Sequence, residues 1–452
     1  MNKHLFLMGM AAAALMTSCA NDDLAGGATD NSRLTGNSDV PIALSAGQQA
    51  NKTRAALGNL DEEGNYDGTF DTPADKNLGF FCLATGKIMG TEDITWKEGY
   101  DNPNFLWIKN IQAKAKTEQD ADLGKKVTNI ELYDEDGNVK TNYFYPMGSQ
   151  YSYSFYGYYP YSKNVQHEGN KYSVNITGLD GTTDLIWGKS FVKDDDPDSK
   201  DAYSAKYIRD KKNRIVEAGG EWNDQARKEA RPQLTFKHKL MKLNIILAKG
   251  SGENTNIENL GIMSAKLLNV ADAGVLTIAD LDHRLAKLSD DAAGKEGDFV
   301  VDWSTAANHN TDATGFELKN SDGSSLGEQG GVYPGPYLGE NDRITVGDGF
   351  LVPVPKSTGV GTYEDNGYAG TENAGLANKG IFRLRIDYFM KDEPNKLYKA
   401  AQYEVRPVFQ GHTDETWQEG YEYDIVISVS DPELIKTTGY LTPWEKRIIE
   451  LE

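Results

Sequence analysis

The chain has 452 residues, of which 25% are charged, and its formal net charge is −21 at pH 7. This acidic balance argues against nucleic acid and against an anionic membrane face as partners. The length allows two or three domains. Two cysteines, Cys19 and Cys82, are too few for a disulfide framework, so packing must stabilise the fold.

The chain opens with the features of a lipoprotein signal peptide. Lys3 precedes the apolar run Leu5–Met16, which is shorter than the roughly 20 residues needed to span a bilayer. The run leads into Met-Thr-Ser-Cys, where small residues precede Cys19 as in a cleavage site. We predict that residues 1–18 are removed and that acyl chains on Cys19 anchor the protein to a membrane. An ordinary signal peptide followed by an unmodified cysteine is the alternative.

A polar stretch and a short alternating run follow. Residues 21–39 are rich in Gly, Asp and Asn and predict an extended tether. Val40, Ile42 and Leu44 then alternate with other residues, so one face of a strand would be apolar. Residues 47–53 are polar and lead to Arg54, in a segment suited to a protease-accessible loop.

Alternating apolar runs dominate the rest of the chain and predict strands. They lie at Tyr151–Phe155, Leu234–Leu247, Phe350–Val354, Phe382–Tyr388 and Tyr421–Val429. The second run slips by one residue near Leu240 and Met241, which predicts a bulge or a strand buried on both faces. Asn223–Arg231 predicts a short polar helix, and Ala271–Leu288 fits either a strand or a helix.

These patterns predict an all-β protein with two sandwich-like domains, long loops and few short helices. The charged stretch Lys193–Arg231 precedes the strand at Leu234 and marks the expected boundary. The predicted organisation is a tether with an N-terminal strand at 19–54, an N-terminal domain at 55–231 and a C-terminal domain at 232–452.

Motifs for catalysis or metal binding are missing from the sequence. The six histidines are scattered without the spacing of zinc ligands. Trp187–Ser190 lacks the earlier glycine of a phosphate-binding loop, and Asp134–Gly137 lacks the first ligand of a calcium loop. Catalytic carboxylate pairs stay open, because sequence separation does not give spatial distance. We expect no enzyme activity, cofactor or metal, and a buried structural role for His238 with a backbone partner.

Several segments, taken in order, are similar to motifs of the Bacteroidales fimbrillin-like family. They are Phe155–Tyr161, which resembles its YYPY segment, Asp184–Gly188, Leu234–Leu243, which resembles its F-x-H-x-L-x-K-L strand, Leu351–Pro353, and Pro443-Trp444. The chain departs from the family at Trp187-Gly188, where Tyr-Ala is usual, and in the long loop from Lys193 to Arg231. The resemblance implies a type V pilin with two transthyretin-like β-sandwich domains, exported as a lipoprotein.

The resemblance also implies how such a protein matures. An Arg-specific or trypsin-like protease would cut between Arg54 and Ala55 and remove the lipidated segment, including the strand of Val40, Ile42 and Leu44. The vacated groove would then accept a donor strand from another subunit. The alternative is that Arg54 is an ordinary loop residue and that the N-terminal strand is retained.

Two further segments bear on maturation. Arg33 is a rival cleavage site, at which a cut would release the lipid without opening a groove. The donor candidate is the segment 440–452, in which Ile449 and Leu451 alternate and Ile448 faces the other way. A final native strand of the second domain is the alternative for this segment.

We therefore predict a structural or accessory subunit of cell-surface fimbriae that assembles by protease-triggered donor-strand exchange and supports adhesion and biofilm formation. Its expected partners are other fimbrial subunits, the maturing protease, the outer membrane through the lipid, and a host protein or glycan. It would begin as a lipid-anchored outer-membrane precursor and end at the cell surface in a fimbrium. The alternative is an outer-membrane-anchored lipoprotein that binds a glycan or host protein without polymerising, with tryptophans such as Trp96 and Trp107 as stacking surfaces.

Overall fold

The computed structural model describes eighteen stretches of the chain. They are residues 37–48, 69–73, 77–88, 92–100, 102–134, 137–139, 143–147, 150–190, 203–250, 259–268, 270–285, 295–301, 316–318, 337–339, 342–353, 382–398, 402–405 and 418–429. Within them, strands predominate and helices are few and short, so the predicted all-β class is confirmed.

The strands up to the predicted boundary and just beyond it are β1 (Asn37–Pro41), β2 (Ser45–Gln48), β3 (Leu78–Lys87), β4 (Leu106–Asp120), β5 (Lys125–Leu132), β6 (Phe144–Pro146), β7 (Tyr151–Tyr159), β8 (Val165–Glu168), β9 (Lys171–Ile176), β10 (Ile186–Ser190) and β11 (Gln233–His238). The later strands are β12 (Leu240–Lys249), β13 (Asn259–Leu268), β14 (Gly274–Asp280), β15 (Phe299–Val300), β16 (Phe316–Glu317), β17 (Leu338–Gly339), β18 (Arg343–Pro353), β19 (Phe382–Met390), β20 (Glu393–Tyr398), β21 (Gln402–Val405) and β22 (Glu422–Val429). The helices are α1 (Ala205–Glu217), α2 (Asp224–Glu229) and α3 (Leu281–Leu285).

Seven strands form a closed barrel in the order β10, β11, β2, β5, β4, β3 and β7, and β7 pairs back to β10. Neighbours are antiparallel except for β2 and β11, which run parallel. A four-stranded sheet of β15, β14, β9 and β8 contributes Tyr172, Val174 and Leu276 to the same hydrophobic core. We call this core, which fills the barrel and extends under that sheet, the barrel core.

Two other sheets form a sandwich around a second core. One has the order β18, β12, β22, and the other has β16, β13, β19, β20, with β17 paired to β13 and β21 paired to β19. Both contribute to one cluster of buried side chains, including Leu243 and Ile425 from the first sheet and Leu267 and Ile386 from the second. We call this cluster the sandwich core; two sheets packed over it have the layering expected from the alternating runs.

The slip in alternation near Leu240 marks the passage of the chain from one core to the other. β11 ends at His238 inside the barrel, and β12 begins at Leu240 in the three-stranded sheet. Leu240 still belongs to the barrel core, whereas Met241 belongs to the sandwich core. Because consecutive side chains of a strand point to opposite faces, one residue of slip is enough to change the core that is filled.

The charged stretch before β11 contains the helix α1 where the sequence predicts a long loop, so the prediction of a loop is wrong for residues 205–217. The Ser204 side chain accepts a hydrogen bond from the Tyr207 backbone at 3.0 Å and caps this helix. The polar helix predicted at Asn223–Arg231 is confirmed as α2. The ambiguous stretch Ala271–Leu288 holds both alternatives, β14 followed by α3.

Backbone pairing crosses the boundary expected at residue 231. β11 follows that position and lies in the barrel, and β14 pairs with β9. The division into 55–231 and 232–452 stays a prediction; in the structure, later residues such as Leu276 and Leu351 contribute to the barrel core. Among the helices described, none is long and apolar enough to cross a membrane.

Phe236 of β11 packs over two glycines on neighbouring strands. Gly188 pairs with Phe236 on one side and with Gly157 on the other. A Cβ atom at Gly157 would lie 2.6 Å from the Phe236 ring, and one at Gly188 would lie 2.7 Å from the Thr235 carbonyl oxygen. The missing side chains therefore make room for the ring, which also contacts Phe70 with a centroid separation of 5.1 Å.

Candidate functional site

The N-terminal segment, residues 37–48, forms part of the wall of the barrel. Its second strand, β2, lies between β5 and β11. Ser45 is opposite Gln233 in the parallel pairing with β11 and opposite Asn129 in the antiparallel pairing with β5. Strand pairing closes the barrel on this side through β2. We call the space between β5, β6 and β11 that the segment occupies the strand groove.

Backbone hydrogen bonds hold the segment from both sides. β1 pairs with β6, and the Ile42 amide donates to the Tyr143 carbonyl at 2.7 Å. The Leu44 carbonyl accepts from the Ile130 amide at 3.3 Å, and the Ser45 amide donates to the Pro232 carbonyl at 3.1 Å. These bonds satisfy backbone groups of β5 and β11 that would otherwise form two exposed sheet edges.

The alternation noticed in the sequence corresponds to alternating burial. Val40, Ile42 and Leu44 are buried in the barrel core, and Leu44 exposes only 3% of its surface. Ala46 continues the buried row, whereas Ala43, which lies between Ile42 and Leu44, is exposed. Val40 lies in β1, whereas 42–44 bridge β1 and β2, so the predicted single strand is two short strands joined by an extended link. That this strand is removable stays a prediction.

A charged contact ties the first half of the segment to α1. The Arg209 guanidinium donates to the Asp39 carboxylate. This hydrogen bond, followed by the charge of Arg209, holds the pKa of Asp39 below its ordinary value. Because the Asp39 side chain exposes 66% of its surface, solvent screens the contact and its contribution to stability is small.

Polar contacts near the second half of the segment join α2 to the β4–β5 hairpin. The Lys228 ammonium lies 2.8 Å from the Asp120 carboxylate and 2.5 Å from that of Asp122. Arg231 follows α2 and donates to the Asn129 side chain at 3.0 Å. Lys228 lowers the pKa of Asp120, and burial lowers the pKa of Arg231.

The chain that follows the segment is held to the barrel independently. Phe70 is fully buried, and its amide donates to the Thr128 hydroxyl at 3.1 Å. The Thr72 amide donates to the Ala115 carbonyl at 3.0 Å. Residues 49–68, which include Arg54 and Ala55, lie outside the described residues. A break in that stretch would leave 69–73 attached by these bonds to β4 and β5.

The other predicted sites divide into two groups. Cys19, Ile448, Ile449 and Leu451 lie outside the described residues. Two of the tryptophans proposed as stacking surfaces, Trp96 and Trp107, lie within the described residues, and their indoles donate hydrogen bonds inside the fold. Trp96 is fully buried and donates to the Ala84 carbonyl at 3.0 Å, and Trp107 donates to the Phe144 carbonyl at 2.8 Å.

Two buried polar side chains outside the strand groove, His238 and Glu296, have partners that serve the fold. His238 is buried, and the Asp184 carboxylate lies 2.8 Å from its Nδ1. The expected backbone partner stays a prediction. Glu296 accepts from Tyr156 at 2.9 Å and from Lys189 at 3.0 Å, which joins the 295–298 turn to the barrel. Within the described residues, no three His, Cys, Asp or Glu side chains are grouped as metal ligands would be.

A family model described as fimbrillin-like matches residues 92–321. The chain is similar to the structure of a fimbrial protein from Bacteroides vulgatus, with 11% identity, a TM-score of 0.37, and 89% of this chain and 99% of that chain covered. It is also similar to a C-terminally truncated form of the tip fimbrial protein Mfa3 from Porphyromonas gingivalis, with 8% identity, a TM-score of 0.30, and coverage of 89% and 98%. No curated protein matches the sequence.

Proposed function

This chain belongs to the fimbrillin-like family, and from that premise we propose that it is a subunit of cell-surface fimbriae that exchanges its N-terminal segment for a strand of another subunit. The observation that carries the proposal is the position of β2 between β5 and β11, with alternate side chains buried in the barrel core. The segment completes a barrel that is otherwise continuous from β11 round to β5.

Removal of the segment would leave a groove with the properties of a strand acceptor. The edges of β5 and β11 would present unpaired amides and carbonyls, and the sites of Val40, Ile42 and Leu44 would become apolar pockets. An added strand can satisfy both, because main-chain bonds give affinity and alternate side chains fill pockets. The incoming strand would run parallel to β11, as β2 does.

Cleavage between Arg54 and Ala55 by an Arg-specific or trypsin-like protease would start the exchange. The segment would then be held by non-covalent contacts alone, while residues 69–73 keep the rest of the chain in place. A lipid on Cys19 would leave together with the segment. The protein would thus pass from an outer-membrane precursor to a fimbrium, where adhesion and biofilm formation are its proposed roles.

The donor strand would come from residues 440–452 of another subunit. Ile449 and Leu451 would supply two alternate apolar side chains for the row that Val40, Ile42 and Leu44 vacate. Ile448 would face the opposite side, away from the barrel core. Only the C-terminal end of this segment has the required alternation. Moving this pair of apolar residues by one position along the segment would therefore test the register of exchange.

Treatment of the precursor with an Arg-specific protease tests the proposal. We expect a mature chain that begins at Ala55 by N-terminal sequencing and forms ladders resistant to mild SDS. An Arg54→Gln variant should stay uncut and monomeric, and a 440–452 deletion should be cut but not incorporated. A stable monomer after complete cleavage at Arg54 would contradict the proposal and support an anchored lipoprotein that does not polymerise.

A further inference from the structure

α2 and Arg231, which lies two residues beyond its end, connect the two strands that flank the N-terminal segment. α2 precedes β11, and its contacts are made with the turn of the β4–β5 hairpin and with β5 itself. The connecting side chains are Lys228 and Arg231 on one side and Asp120, Asp122 and Asn129 on the other. We call these five residues the clasp.

The clasp lies at the point where β2 begins. Ser45 donates its amide to the Pro232 carbonyl and is opposite Asn129 on the other side. Arg231 is the residue before Pro232, and its guanidinium donates to the Asn129 side chain at 3.0 Å. One side-chain bond therefore joins the two positions whose backbones bracket Ser45.

This bond spans the width of one strand. Adjacent strands lie about 4.8 Å apart, so β5 and β11 are separated by about 10 Å where β2 lies between them. An arginine side chain is long enough to cover such a distance when its backbone lies at one edge. None of the clasp contacts involves a side chain of the N-terminal segment. They would therefore persist after the segment leaves.

We propose that the clasp keeps β5 and β11 one strand apart in the cleaved subunit, and so preorganises the strand groove for the incoming strand. The inference rests on the proposed function. Without the clasp, strand pairing links β11 to β5 only the long way round, through β10, β7, β3 and β4. Phe70, which packs on Phe236 and donates its amide to Thr128, also joins them, but in the core rather than beside Ser45. The open sheet could then twist or close on itself, and an incoming strand would first have to restore the spacing. Preorganisation removes that cost from binding.

Arg227 provides a matched control on the same helix. Its guanidinium bonds Asp224 at 3.0 Å within α2, and its side chain exposes 59% of its surface. Replacing it removes a positive charge close to the clasp without removing a contact to the hairpin. A difference between Arg227→Gln and clasp variants therefore reports the cross-groove contacts rather than the net charge.

The experiment uses the full chain with a specific protease site placed within residues 49–53. After cleavage and release of the N-terminal segment, binding of a labelled peptide of residues 37–48 is measured. We expect a variant with both Lys228→Gln and Arg231→Gln to bind about tenfold more weakly than wild type, mainly through slower association. Arg227→Gln should stay within about twofold of wild type.

The outcomes separate the two proposals. Equal binding by the double variant and by wild type overturns the clasp alone. A wild-type chain that neither releases nor rebinds the peptide overturns the proposed function and the clasp with it. If the double variant does not fold, Asp122→Asn tests the same contact at an exposed turn. It should weaken binding in the same direction by about two- to threefold, and unchanged binding overturns the proposal.

Discussion

Leu44→Ala tests whether buried side chains hold the N-terminal segment in the barrel. Leu44 exposes 3% of its surface and is part of the barrel core, in one row with Val40 and Ile42. Truncating a buried leucine to alanine costs about 2–5 kcal/mol, through lost transfer free energy and the cavity left behind. With about 3 kcal/mol as the central value, the affinity of the cleaved segment should fall about 100-fold, since each 1.4 kcal/mol is about tenfold.

The assay follows release of the segment from a chain cleaved at a specific protease site within 49–53. A fluorophore on the N-terminal fragment gives its dissociation rate after dilution, and size exclusion confirms separation. We expect most of the change in the dissociation rate, because mutations within one interface act mainly there. Ala43→Ser is the matched control, because Ala43 is the exposed neighbour of Leu44. Release at the same rate from Leu44→Ala, Ala43→Ser and wild type would refute the view that apolar burial retains the strand.

The remaining predictions concern the barrel, a charged contact and a thiol. Gly188→Ala should lower the free energy of unfolding by about 1–3 kcal/mol, measured in urea, because its Cβ would overlap Phe236 and a backbone carbonyl; an unchanged midpoint would show that the strands can shift apart freely. The contact with Arg209 holds the pKa of Asp39 low, so its small contribution is present above about pH 4 and is lost as the pH falls further; retention of the cleaved segment should weaken less on acidification in Asp39→Asn, and equal pH dependence in both chains would contradict this. Burial raises the pKa of the Cys82 thiol, and in a Cys19→Ser chain that keeps the N-terminal segment this thiol should react with a disulfide reagent only on unfolding; rapid reaction in the folded chain would mean that the barrel opens readily.

Local alternation predicts the strands at Tyr151–Phe155 and Tyr421–Val429, because β-branched and aromatic residues recur there at every second position. The structure has them as β7 and β22, and every residue of β7 is buried, including its serines. The long hairpin of β4 and β5 was missed, because its residues are mostly polar and only partly buried. α1 was missed for a similar reason: its charged sequence offers little apolar periodicity, and its start depends on the cap at Ser204.

Of the candidate site, the sequence predicts only the buried side chains of the N-terminal segment and not the strands that line the groove. Val40, Ile42 and Leu44 were identified from their spacing, whereas Ala46 was not, since a single alanine adds little to an apolar pattern. The partner strands could not be named, because pairing between β2 and β11 joins residues about 190 positions apart. No local pattern encodes such a contact, and the clasp residues read as ordinary surface charges.

Gly188, where the motif that this segment resembles would place alanine, has a reason in the structure. The Phe236 ring occupies the space that an alanine methyl group would need. This substitution and the aromatic ring of β11 therefore belong to one packing arrangement. The departure from the family motif leaves the strand pairing of β10 with β7 and β11 intact.

The link between Gln48 and Thr69 also bears on how strongly the uncut chain would retain its own strand. While the chain is intact, twenty residues, 49–68, connect the segment to an anchor at 69–73 on the same barrel. A linker of about twenty residues gives its attached strand an effective concentration of the order of millimolar at the groove. A strand from another molecule would have to compete against that concentration. Cutting the link changes no contact in the groove. The resident strand and any competing strand would then both bind as separate molecules, each at its own concentration in solution.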